Sequence, residues 1–315
     1  MTPGDALAGL TAPLERARRT VVRRTTGLFA HGADPMANTM DYRGDPGLFG
    51  PDSITWEVMG DVSGFVAGIR ALLIQAAHPE VVAGVHEHSR YREDPLGRLS
   101  RTSDYVTATS YGAMPEVEQA VRIVRAVHRS VVGVSHRGKP FRADDPPLAA
   151  WVHNSLTDSF LACNQVYGAR RLTPAEADAF VAEQARIGRL LDADPVPETA
   201  AELSRWVAEH PAIGRSPGMR EAVAFLRRPP LDPAVLVAYQ VLGSAAIVTI
   251  PPRIRETLGL RPRPGARNVG LAATAGMRWA LASSPRWRQA LLRVGAPVDE
   301  RRFKQKAPFE TLEAA

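Results

Sequence analysis

Proline opens one stretch of helical apolar spacing after another in this chain. Pro115, Pro147, Pro174 and Pro233 each stand where such a stretch begins. A first-turn residue has no intrahelical partner for its amide, so a missing N–H costs little there. Alanine, leucine, arginine and glutamate fill the intervening segments, and these are strong helix formers. No convincing run of alternating β-branched residues interrupts them. The expected fold is all-α, a single multi-helix globular domain.

Helices are expected at Leu10–Thr26, from Ser53 onward, through the apolar stretch Phe65–Ala77, and at Pro79–His88, Arg98–Tyr111, Met114–Val132 and Pro147–Tyr167. Others are expected at Pro174–Leu191, Glu198–Glu209, Gly218–Arg227, Pro233–Thr249, Arg253–Leu258, Gly265–Ala282 and Pro285–Val294. Ser53 is placed to cap its helix, with Trp56 three residues on and Glu57 next. Pro79 marks a junction, because the residue before a proline avoids the helical region. The expected organisation is an N-terminal helix and Gly/Asp/Pro-rich loop over 1–50, a main domain over 51–295 and a tail over 296–315.

The 315 residues suffice for one large core, since a chain of this size buries roughly 75% of its unfolded surface. The net charge of +6 is almost all arginine; Lys139, Lys304 and Lys306 are the only lysines. The arginines are spread along the chain rather than gathered in a stripe, so nucleic acid is not an expected partner. Peripheral contact with a membrane stays open. Cys163 is the only cysteine, which excludes an intrachain disulfide or a thiolate cluster and points to a reducing compartment. The arginine-crowded segment Leu14–Arg24 is followed by no apolar signal region, so a cytoplasmic location is expected. Val235–Pro252 is the best membrane-span candidate, but it is shorter than the ~20 residues needed and carries Tyr239, Gln240 and Ser244. A buried central helix is the expectation there, with no transmembrane segment.

Most of the chemically suggestive side chains fall between Leu72 and Phe160, including six of the eight histidines. In the Met114–Val132 helix, Val117, Ala120, Val121, Val124, Val127 and Val131 form an apolar stripe, and His128 projects from it. A neutral imidazole on an apolar face is either a haem-iron ligand or a core histidine bonded to a carbonyl. Arg98, Arg101, Thr102 and Tyr105 share a face of the preceding helix. That face could hold anionic groups or simply be solvated. Gln75 and His78 at a helix junction, and His153 beside Trp151, either line a pocket or anchor backbone. His86 and His88 face apart, which disfavours a metal pair. No paired Glu-x-x-His motifs of a di-iron bundle occur, nor a P-loop, G-x-G-x-x-G, H-E-x-x-H or G-x-S-x-G.

The run RALLIQAAHPEVVAGVHEHSRYREDPLGRLSRTSDYVTATSYG, followed by VRIVRAVHRSVVG and WVHNSLTDSF, resembles the DUF2236 family. That family includes the rubber oxygenases (latex-clearing proteins) and the mycophenolate-pathway MpaB-like oxygenases. The resemblance covers about residues 50 to 295 and is strongest from Arg70 to Phe160. It implies an all-helical domain with a buried haem pocket between central helices and one haem b, whose iron takes a proximal histidine. His128 matches that histidine. Arg98, Arg101 and Thr102 match the family's Arg-x-x-Lys-Thr motif, with arginine replacing lysine. Arginine is a poor metal ligand because its pKa exceeds ~12, so Arg101 is expected to bond dioxygen or a propionate instead of iron. Arg98, Thr102, Tyr105, His78, Gln75 and His153 are the implied pocket residues, with Arg98, Arg101 and Thr102 in the catalytic role. Glu80 and Glu87 are the upstream carboxylates that could stand for the family's catalytic glutamate. The implied activity is dioxygen-dependent oxidation of an apolar, isoprenoid or alkene-bearing small molecule, with an unidentified electron donor. The alternatives are a non-catalytic haem- or small-ligand-binding protein, and a basic helical module for membrane or nucleic acid.

Overall fold

A computed structural model describes residues 33–281 and 283–299, together with residues 16, 18–20, 22, 23 and 27. Most of the expected helix Leu10–Thr26 and the tail from residue 300 lie outside the described residues; the described part of that helix is helical. A 3-10 turn at Thr39–Asp41 precedes α1 (Ile54–Gly60), α2 (Ser63–Gln75) and α3 (Pro79–His88). Then come α4 (Pro95–Tyr111), α5 (Met114–His128), α6 (Pro146–Tyr167), α7 (Pro174–Leu190) and α8 (Ala200–Glu209). The chain continues through α9 (Pro217–Arg227), α10 (Pro233–Thr249), α11 (Pro252–Leu258), α12 (Ala266–Leu281) and α13 (Pro285–Val294).

Local chemistry accounts for the starts. The Ser53 hydroxyl accepts the Trp56 N–H at 3.2 Å. The Asp94 carboxylate accepts the Gly97 N–H at 2.9 Å, which starts α4 at Pro95, ahead of the expected Arg98. Thr173 and Glu176 form a reciprocal capping box on α7, with Glu176 accepting the Thr173 N–H at 2.7 Å.

The stretch after His128 departs from expectation. The helix stops there, and β1 (Val132–Val134) pairs antiparallel with β2 (Pro140–Arg142), Gly133 opposite Phe141. Gly138, at φ +71°, takes the turn that an L side chain avoids. Phe141 is buried against α3, where a Cβ on Gly84 would lie 3.2 Å from its ring. Burial of that ring outweighs the helical spacing of Val127 and Val131. Helices make up the rest of the regular structure among the described residues.

The core is organised around α2 and α6, which pack along one another more extensively than any other pair. α10 covers α2 and is covered in turn by α12. Gly270 allows that last approach, since a Cβ there would come 2.6 Å from Ala245 Cβ. Two buried ion pairs cross the core. Arg70 on α2 meets Asp158 on α6 at 2.7 Å and donates to Ser159 Oγ and the Thr249 carbonyl. Asp61 receives both Nε and Nη2 of Arg278, at 2.8 and 2.7 Å, and accepts the Ser63 and Ala169 N–H groups. Such pairs offset the cost of removing charge from water only when the remaining lone pairs are used; Asp61 comes close to this, whereas Asp158 Oδ2 has only its ion-pair contact with Arg70. The helix expected to be buried, α10, is so only in its second half, at Leu242, Ala245 and Ala246; Val237 is 64% exposed. Among the described residues no single helix is long and apolar enough to cross a membrane.

Candidate functional site

α4 and α5 are consecutive and packed together, and the Arg98 charge acts on the His128 imidazole, lowering its pKa. Arg98 is half-buried in the first turn of α4. Its Nε donates to Ser89 Oγ at 3.2 Å, and its Nη1 donates to the Thr102 hydroxyl. Thr102 in turn donates to the Arg98 carbonyl at 3.1 Å, so the two side chains fix each other. Among the described residues no carboxylate forms an ion pair with Arg98. The positive end of a helix disfavours a cation in its first turn, and the carboxylate that caps this end, Asp94, is engaged by the Gly97 N–H and Arg101. Burial and the neighbouring Arg101 depress its pKa, yet a guanidinium stays protonated at any physiological pH. Arg101 itself is exposed and pairs with Asp94 at 3.3 Å. Tyr105 lies on the Arg98–Thr102 face with its hydroxyl buried and without a hydrogen-bond partner. Burial raises its pKa, and an orphaned buried hydroxyl costs about 1–3 kcal/mol.

His128 ends α5 and is half-buried. Of its stripe, Val117 and Val121 are buried and Val124 is half-buried, whereas Val127 is 55% exposed. Burial lowers the His128 pKa, Asp144 opposes this, and Arg98 reinforces it. The imidazole is therefore neutral at pH 7 and has a nitrogen lone pair to give. Asp144 was not legible as a neighbour, because only the hairpin folds its turn back toward the end of α5.

Gln75, His78 and His153 have other partners. Gln75 Nε2 donates to the Val152 carbonyl at 3.2 Å, while Trp151 Nε1 reaches the Gln75 carbonyl at 3.4 Å, tying α2 to α6. The buried His78 ring packs, tilted, against Trp151 and His210 at 5.5 and 5.6 Å between centroids. Its Nδ1 is 3.3 Å from Glu80 Oε2 without hydrogen-bond geometry. Burial brings its pKa down to about 4. Glu80 is fully engaged by Ser135 Oγ and Arg137, at 2.8 and 2.6 Å, and Glu87 is exposed. His153 is buried against α7, where a Cβ on Gly188 would sit 2.8 Å from its ring. Burial lowers its pKa to about 4, against a hydrogen bond to the Gln184 backbone. Thus Arg98, Arg101, Thr102, Tyr105 and His128 occupy one helix pair, while the other candidates are held by α2, α3, α6, α7 and His210.

Among the described residues no three histidine, cysteine or acidic side chains are grouped to hold a metal ion. Clefts of about 550 and 310 Å³ open elsewhere on the molecule, and neither is lined by Arg98 or His128. The residues on α4 and α5 nevertheless include the kinds of group that a haem would need. They offer a neutral imidazole, a cation without a carboxylate, and an orphaned phenol. No match was found among curated proteins or among solved structures. Residues 56–282 match the family model described as ER-bound oxygenase mpaB/B'/Rubber oxygenase, catalytic domain. With well over half its length inside that model, the chain belongs to this family of oxygenase catalytic domains.

Proposed function

We propose that the protein is a haem b-dependent oxygenase that uses dioxygen to oxidise an apolar, alkene-bearing small molecule. The observation that carries this reading is that the packed helices α4 and α5 carry a half-buried Arg98, which forms no ion pair among the described residues, and a half-buried His128. When bound, haem supplies the redox-active iron that dioxygen chemistry requires. His128 would hold the iron through an imidazole nitrogen, since burial and Arg98 lower its pKa. Arg98, oriented by Ser89 and Thr102, would supply the cation for a propionate. Tyr105 stays a phenol, since burial holds its proton on, and its hydroxyl is a donor in need of an acceptor. Arg101 lies at the outer edge, held by Asp94, where it can meet negative charge that develops during reaction.

The test is oxygen uptake by haem-reconstituted protein against a panel of isoprenoid alkenes, with an added reductant. The expected result is alkene-dependent uptake that is lost in His128→Ala and strongly reduced in Arg98→Leu. Uptake independent of the alkene, or unchanged in both variants, contradicts the proposal and leaves haem or ligand binding without catalysis.

A further inference from the structure

The larger cleft, about 550 Å³, lies between α2, the end of α9, the flank of α10 and the segment after α11. That volume is within the roughly 300–1,000 Å³ that suits a small molecule. Its floor is apolar, with Leu73 from α2 and Ile247 from α10. Arg227, Arg228, Arg261 and Arg263 line it as well, and no aspartate or glutamate does. Among the described residues none of these four forms an ion pair with a carboxylate. The last turn of α9 offsets part of the Arg227 charge. The other three lie beyond helix ends, in loops. Four like charges around one apolar hollow repel one another and concentrate an anion-attracting field.

We infer that this cleft is a second binding site, for a single aliphatic chain that ends in an anionic carboxylate or phosphate group. The guanidinium forks match either head group in bidentate geometry. An inorganic anion would leave the apolar floor wet, and a neutral hydrocarbon would leave the arginines unpaired; an amphiphile satisfies both. Gly243 keeps the floor open, because a Cβ there would meet only Ile69 Cγ2, at 4.0 Å. The site shares no lining residue with Arg98 or His128, and the inference stands apart from the haem proposal.

The experiment is calorimetric titration of the full chain with dodecanoate, dodecyl phosphate, dodecanol and inorganic phosphate, below micelle-forming concentrations. Saturable binding of the two anionic amphiphiles is expected, with dodecanol and inorganic phosphate far weaker. Arg228→Gln with Arg261→Gln should weaken amphiphile binding by about tenfold or more. The charge-matched pair Arg43→Gln with Arg205→Gln, at exposed positions away from the cleft, should not. Gly243→Leu fills the floor with a better helix former and should block binding while the helical circular dichroism persists. His128→Ala should bind as the parent does. Dodecanol binding as tightly as dodecanoate, inorganic phosphate binding as tightly as dodecyl phosphate, or no effect of the cleft variants would overturn the assignment. So would binding of anionic vesicles without binding of the monomeric amphiphiles, which would make the arginines a membrane contact.

Discussion

Acid should unfold this protein through two particular histidines. His78 and His153 are buried, and burial takes each from 6.5 to about 4. A folded-state pKa below the unfolded one means that the unfolded chain binds the proton more readily. The stability from keeping each ring neutral is therefore present above about pH 6.5 and is lost as pH falls toward about 4. At about pH 5 the loss is roughly 2 kcal/mol for each ring, rising toward about 3.4 kcal/mol at still lower pH. The perturbations are His78→Phe, which keeps an aromatic face toward Trp151 and His210, and His153→Asn, which keeps a donor toward Gln184. Urea unfolding at about pH 7.5 and pH 5 gives the pH-dependent part of stability, whatever the absolute cost of each substitution. Each variant should lose about 2 kcal/mol of the parent's difference between the two pH values. Variants with the parent's full difference would refute the reasoning, since the rings would then titrate as they do in the unfolded chain.

Three further outcomes are expected. Asp61→Asn leaves the buried Arg278 without its counter-charge and should cost about 3–5 kcal/mol; thermal unfolding checks it, and Arg278→Met in the same chain should restore part of the loss. Gly47→Ala forces a Cβ to 2.0 Å from the Gly112 carbonyl at φ +70°. It should lower stability by more than the ~1–2 kcal/mol of the left-handed conformation alone, read by the shift in urea midpoint. Because the His128 pKa is lowered in the folded protein, any haem it ligates should stay bound as pH falls through about 6.5. Release at or above that value, followed by absorption, would contradict this.

Most of the helical fold was legible because its starts are chemically marked. Thr173 caps at the expected start, where a short oxygen side chain precedes proline; Asp94 and Ser216 do the same, starting their helices one to three residues ahead of the expected Arg98 and Gly218. The hairpin was not legible. Its strands are too short to show alternation, and Val131 continues the spacing of α5, so only Phe141 packing on α3 decides the outcome. At the candidate site, the shared face of Arg98, Thr102 and Tyr105 followed from helical spacing. That Arg98 would lack a carboxylate, and that Asp144 would approach His128, depends on tertiary placement that spacing does not encode. Gln75, His78 and His153 illustrate the same point: a polar residue on an apolar face shows its partner only when the opposing helix is in place.

The most direct test is the absorption spectrum of the purified protein, oxidised and reduced, with and without added haem. The parent should show a Soret band that shifts on reduction, and His128→Ala should lose it or shift it markedly. A parent that takes up no haem when supplied with it, or a His128→Ala protein with an unaltered spectrum, would contradict the assignment of that imidazole to iron.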